Sequence, residues 1–230
     1  LPTSGSLWGE AFAVLEKDLV SEYRVRAAAS AIILFAATTL VVVSFSIGPF
    51  GLAENERPFL HSVLLWIILL FSAAAGLPRG FVKEEEAGTA LALRLAGRPE
   101  SIYLGKLMGN ALLVLLLELF LVPAFILLME YRVSGWPLFL IMLLGGGLGL
   151  AGATTLISAI VSRASGKGTL FSVLAFPILL PLLFACVDGC RKACTSAELG
   201  AGADALKVVI SYSGVVTTAG FLLFRPIWKE

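Results

Sequence analysis

The sequence predicts an all-α integral membrane protein. Six transmembrane helices are preceded by an N-terminal interfacial amphipathic helix, and a cytoplasmic helix lies between spans two and three. Three observations carry this. Apolar residues make up 58% of the 230 and mean hydropathy is +0.95, well outside the composition of soluble domains. Six apolar runs are long enough to cross a hydrocarbon core of about 30 Å, and too long for barrel strands, so in lipid they satisfy their backbone only as helices. Charge is also concentrated: 9 of the 28 residues in 79–106 are charged, against 33 of 230 in the whole chain. That stretch lies in water or against another protein.

Residues 1–26 form the first, interfacial segment. Within it Trp8, Phe12, Leu15 and Leu19 recur at helical spacing opposite Glu10, Lys17 and Asp18, the pattern of a helix lying in the interface plane. The first span, 27–48, follows Arg24 and Arg26 and stops at Gly48-Pro49; the second, 59–77, closes on Pro78-Arg79-Gly80. After the charged stretch come spans at 107–129, 138–161, 169–187 and 205–224, and the whole chain is expected to form one transmembrane domain. With the N-terminus inside, twelve Lys and Arg flank the inner ends and five the outer. By the positive-inside rule both termini and 79–106 are then cytoplasmic. The opening residues carry acids and no basic n-region, so no signal peptide is expected. A net charge of +1 without a basic, aromatic-interleaved stripe excludes nucleic acid as an expected partner.

Inside 79–106, Glu84, Glu85 and Glu86 lead to Gly88-Thr89. Thr89 is placed to N-cap a short helix running to about Leu95, before Gly97 and Pro99 stop it. Leu91 and Leu95 then share a face one turn apart. A short amphipathic helix of this kind reads as a handle for a soluble partner, and a plain solvated loop is the alternative.

Motifs for chemistry are sparse. Gly147 to Gly152 spells G-x-G-x-x-G inside an apolar span, without the preceding strand that a dinucleotide site needs, so it reads as helix packing. Gly166-Lys167-Gly168-Thr169 lacks the spacing of a phosphate loop; any ATP is bound by another subunit. Glu118 is the one acid near the middle of a span, where a carboxyl must be neutral, paired or facing a polar cavity, and it is an intramembrane functional candidate. A protonated acid bonded to a neighbouring helix is the structural alternative. His61, the single histidine, sits near the outer end of the second span as a candidate haem or metal ligand or as interfacial filling. Cys186, Cys190 and Cys194 share a helix face: a disulfide and simple small-residue packing both remain open. Pro123, Pro177 and Pro181 lie within spans, where they kink helices. No Ser-His-Asp set or carboxylate pair is visible, so no catalytic residue is expected.

Several pieces occur in a fixed order: Ser46-Ile47-Gly48-Pro49; the acids before Gly88-Thr89 leading to Lys106-Leu107-Met108; Pro123; the glycine run of the fourth span; and Phe176-Pro177-Ile178-Leu179-Leu180-Pro181-Leu182-Leu183-Phe184. Over roughly residues 10 to 225 the chain resembles the haem exporter protein B family, the permease subunit of the cytochrome c maturation system and a type-2 ABC exporter. The resemblance implies a non-catalytic permease in the bacterial inner membrane. It implies a coupling helix at about 84–99 that docks on a separate ATP-binding subunit, present in two copies. A second permease copy and haem-handling membrane subunits complete the complex. ATP then sits on the partner and haem is possible cargo; a type-2 permease for another cargo, a lipid, glycan or drug, and a non-transporting membrane scaffold for the ATPase are the alternatives. The docking residues implied are Glu84, Glu85, Glu86, Gly88, Thr89, Leu91, Leu95 and Arg98. Two positions depart from the family pattern: Leu91 stands where an acid is usual, and Leu95-Ala96-Gly97 replaces Leu-Leu-Pro.

Overall fold

The structure is a computed structural model that describes residues 6–47, 53–77, 79–86, 88–89, 92–93, 95, 97–162 and 167–229. Its helices are α1 (Leu7–Val25), α2 (Ala27–Ile47), α3 (Arg57–Gly76), α4 (Arg79–Glu86), α5 (Pro99–Met129), α6 (Trp136–Val161), α7 (Lys167–Thr195) and α8 (Ala203–Lys229), with a 3-10 turn at Leu199–Gly202. Among the described residues six stretches are long and apolar enough to cross a membrane: Ala28–Ile47, Arg57–Gly76, Pro99–Met129, Trp136–Val161, Val173–Thr195 and Leu199–Pro226. The chain is an all-α integral membrane protein.

Two helices outrun their predicted spans. α5 begins at Pro99 rather than 107, because Ser101, Ile102, Tyr103, Gly105 and Lys106 are buried against other helices instead of forming a solvated loop. α7 continues to Thr195 rather than 187, which puts the three cysteines on one continuous helix. All three are free thiols, with Cys186 and Cys190 buried. A regular helix turn does not supply disulfide geometry between i and i+4, and Trp66 Nε1 instead donates to Cys190 Sγ at 3.2 Å.

α1 begins at Ser6, whose Oγ accepts from the Gly9 amide at 3.1 Å, and ends at Arg26 in the left-handed region, φ 54°. Its burial is the reverse of a soluble amphipathic helix. Ala11 and Val14 are buried, and Glu10 and Asp18 turn toward the protein, while Trp8, Phe12, Leu19 and Val20 are exposed. A large outward apolar face of this kind is stable where it meets lipid. Gly105 of α5 permits the close approach of α1: a Cβ there would stand 2.7 Å from Ala11 O.

α6 is the central helix, 72% buried over its apolar window against 17% for α2 and for the last span. Its glycine run is spent on four neighbours rather than one. Gly146 faces Trp66 and Cys186, Gly147 faces Glu118, Gly149 faces Leu182 and Ser213, and Gly152 faces Thr217. Small residues allow that closeness, which drives helix association in lipid. Polar contacts also reach α6, Asn110 Nδ2 of α5 donating to Thr155 Oγ1 at 2.8 Å and Ser213 Oγ of α8 to the Gly145 carbonyl at 3.2 Å. Tyr212 donates to the Ile178 carbonyl at 2.8 Å, three residues before Pro181, where a proline leaves helical carbonyls underused. At the end of the bundle away from α1, the amides of Ser134 and Gly135 donate to the Ala193 carbonyl at 3.1 and 2.7 Å and close the α5–α6 turn onto α7.

Replacing Gly146 by Leu drives a side chain into Trp66 and Cys186, and overpacking of this kind costs about 1–3 kcal/mol. A thermal-unfolding assay in detergent is expected to show a lower midpoint for Gly146→Leu and an unchanged one for Gly214→Ala, where an added Cβ meets nothing within 4 Å.

Candidate partner-coupling site

The charged stretch is built onto the bundle by α4. Over its eight residues, Phe81 and Glu84 stand three apart and so share a face, and both are buried, at 2% and 8% exposure. The two side chains make different kinds of contact.

Glu84 is the centre of an ion network joining three helices. Lys106 Nζ of α5, itself 5% exposed, donates to Glu84 Oε1 at 2.9 Å, and Lys17 of α1 pairs with the same oxygen. Lys106 also meets Asp18 of α1 at 2.9 Å, and the Thr89 hydroxyl donates to Glu84 Oε2 at 2.5 Å. Burial by itself would raise the Glu84 pKa. The Lys106 charge and the hydrogen bonds from Lys17, Thr89 and Lys106 outweigh it and bring the carboxyl from 4.5 down to about 2. Burial likewise works to lower the Lys17 pKa, but the hydrogen bond to Glu84 and the Asp18 charge leave it raised above 10.5. A second contact repeats the theme one turn earlier on α5. Glu10 of α1 accepts from Ser101 Oγ at 2.8 Å and from the Arg98 amide at 3.2 Å, and its pKa is lowered chiefly by the Ser101 bond.

Phe81 enters an aromatic cluster. Its ring lies 5.1 Å from Phe224 and 5.9 Å from Trp228 of α8, and Phe224 lies 5.4 Å from Tyr103 of α5. The Phe81 amide donates to Ser158 Oγ of α6 at 3.5 Å, and Lys106 Nζ stands 5.9 Å over the Phe81 ring. α4 is thus fixed to α1, α5, α6 and α8 at the end of the bundle that holds both chain ends.

The sequence-derived docking residues divide on this scaffold. Glu84 faces inward, paired with Lys106 and Lys17. Glu85 is half-buried, and the Glu86 side chain and Leu91 lie outside the described residues. Gly88 takes a positive φ of 67°, reversing the chain after α4. The Thr89 carbonyl accepts from the Leu93 amide at 3.0 Å, as an N-cap residue's does, but its hydroxyl turns back to Glu84 instead of capping the next turn. Leu95 is 83% exposed and the Arg98 side chain 56%. Phe81 and Trp228 were not singled out from sequence, and Lys17, Asp18 and Lys106 were named there without a site role. The available signals were Phe81 as an aromatic within a charged run and Lys106 as a lone cation opening an apolar one.

Glu118 and His61 are not brought together. Glu118 stands midway in the third span beside Gly147, with Oε1 buried and without a hydrogen bond. His61, 2% exposed, packs edge-on against Phe125 and Tyr131 with centroids at 6.1 and 5.8 Å. It reaches the wall of a cavity of about 270 Å³ at the far end of the bundle. Among the described residues no three His, Cys, Asp or Glu stand together as a metal site.

The pKa shifts set a pH window. Glu84, lowered in the fold, contributes stability that is present above about 4.5 and lost as pH falls toward about 2. Stability against unfolding, measured from pH 7 to pH 3, is expected to fall across the acid limb, less so in Glu84→Gln. Lys106→Met leaves Glu84 with the half-exposed Lys17 as its cation and costs about 3 kcal/mol, since removing one partner of a buried pair strands the other charge.

A family model described as CcmB protein matches residues 10–221, nearly the whole chain. No curated protein matches it. With six membrane-crossing helices and a charged segment anchored across the bundle, the chain belongs to the CcmB protein family, the membrane permease component of the ABC-type haem export system of cytochrome c maturation.

Proposed function

We propose that this chain converts nucleotide-driven closure of a separate ATP-binding subunit into movement of its spans, through the segment that follows α4. The observation that carries the reading is a contrast within fifteen residues: Phe81 and Glu84 are buried and tied to α1, α5, α6 and α8, while Leu95 is 83% exposed. A push on the exposed part is delivered to the helices by the buried part. Leu95, Arg98, Glu85, Glu86, Gly88, Thr89 and Leu91 form the docking side. Glu84 acts behind it, as the tie.

The complex is proposed to hold two ATP-binding subunits and two copies of this chain, with haem-handling membrane subunits beside them, in the bacterial inner membrane with both termini cytoplasmic. ATP belongs to the partner. Haem is cargo, handled together with those subunits, and not a group resident on His61.

Docking and transmission separate by mutation. Leu95→Asp changes an exposed side chain, so the fold is expected to survive while co-purification of the ATP-binding subunit drops about tenfold or more, the loss expected when a hot-spot contact worth over 1.4 kcal/mol is removed. Phe81→Leu keeps the exposed surface intact, and the partner is expected to bind normally while ATP hydrolysis loses its coupling to haem delivery. Undiminished partner binding by Leu95→Asp together with full function of Phe81→Leu would sink the reading.

A further inference from the structure

α5 lacks a cap of its own. Its N-cap residue is Arg98, whose side chain makes no capping bond, and its first helical residue is Pro99, which has no N–H. In a capping box the residue at the third helical position is a Glu or Gln that reaches back to the N-cap amide. That position is Ser101 here, and the missing carboxylate comes from 88 residues earlier in the chain. Glu10 Oε2 of α1 accepts from the Arg98 amide at 3.2 Å, and Glu10 Oε1 stands 3.9 Å from Arg98 Nε. Ser101 Oγ, on a fully buried residue, lies 2.8 Å from both Glu10 Oε2 and the Arg98 carbonyl. Negative charge is also favoured at a helix N-terminus. The capping box of α5 is thus closed by another helix.

Its position along the chain gives this cap a second consequence. Glu84 is where the chain leaves the bundle before the exposed Leu95, and Arg98 is where it returns. Both ends are met by α1, Lys17 pairing with Glu84 and Glu10 with Arg98. Leu95 is eleven residues from Glu84, up to about 40 Å of extended chain, but three from Arg98, at most about 10 Å. The place of Arg98 therefore limits the reach of Leu95 far more closely than the place of Glu84 does.

We propose that Glu10 is a positioning residue for partner coupling: by capping α5 from α1 it fixes the trailing end of the docking segment, and so the place at which Leu95 meets the ATP-binding subunit. The inference deepens the coupling reading and rests on it. Glu10 acts through Arg98 and Ser101 and not by touching the partner.

The test uses the full chain with its co-purifying ATP-binding subunit in nanodiscs. Glu10→Ala is expected to speed hydrogen exchange at the Arg98 amide about tenfold, the factor that a hydrogen bond to a charged group supplies. It is expected to weaken partner binding about threefold and to lower haem delivery per ATP hydrolysed by a similar factor, since an unfixed end leaves the docking position populated only part of the time. Glu10→Gln keeps an acceptor oxygen and retains most of all three. Ser101→Ala gives the same pattern at smaller size, and combined with Glu10→Ala it adds nothing, because both remove one contact. A merely structural role lowers the thermal midpoint and leaves delivery per ATP unchanged in the folded complex; that result overturns the proposal, as do additive losses in the double variant or Glu10→Gln behaving like Glu10→Ala. Leu95→Asp in the same assay separates the two readings. A partner released by Leu95→Asp but unaffected by Glu10→Ala removes the cap alone, whereas a partner unaffected by Leu95→Asp removes the coupling reading beneath it.

Discussion

The end of this bundle that carries α4 depends on one buried ion pair, Lys106 with Glu84. Taking both charges out of water costs several kcal/mol each, and their attraction repays that only when geometry is good and the remaining valences are filled. Here they are filled, by Asp18 and Lys17 of α1 and the Thr89 hydroxyl. A pair of this kind adds little net stability compared with apolar packing of the same volume. Its contribution is register: α1, α4 and α5 satisfy Lys17, Asp18, Glu84 and Lys106 together in one relative position, and a slide of any of the three by one turn strands a cation or a carboxylate at low dielectric. The aromatic cluster around Phe81 is less demanding, since rings tolerate small shifts, but it extends the same fixed point to α6 and α8.

Much of this was legible in the chain and some was not, for reasons that differ by residue. Spans could be read because lipid imposes length and apolarity on each locally. Their ends could not, because Ser101 to Lys106 look like loop until α1 is laid against them, and Cys190 and Cys194 look extramembranous until Trp66 is seen bonded to the first of these. Among three consecutive glutamates, composition treats Glu84, Glu85 and Glu86 alike. Only the fold brings Lys106 and Lys17, 22 and 67 residues away, to the first of them. The glycine run was recognisable as a packing surface, yet its neighbours were not, since four helices use it at successive positions. Glu118 was marked by its depth alone; that it faces a glycine instead of a serine or threonine is a tertiary fact.

α1 has the least span-like sequence of the long helices and joins the charge network to the apolar bundle. Its inward side carries Glu10, Lys17 and Asp18 into the charge network, and its Leu15 forms part of the cleft that ends at Glu118. Gly105 holds it at backbone distance from α5, so the contact resists compression. Outwardly it presents Trp8, Phe12 and Val20 to whatever surrounds the bundle. α4 therefore meets α1 through Lys17 as directly as it meets the spans through Lys106, Ser158 and Phe224. The charge network and the apolar cleft, though unlike in chemistry, both draw on α1, which Gly105 lets pack closely on α5.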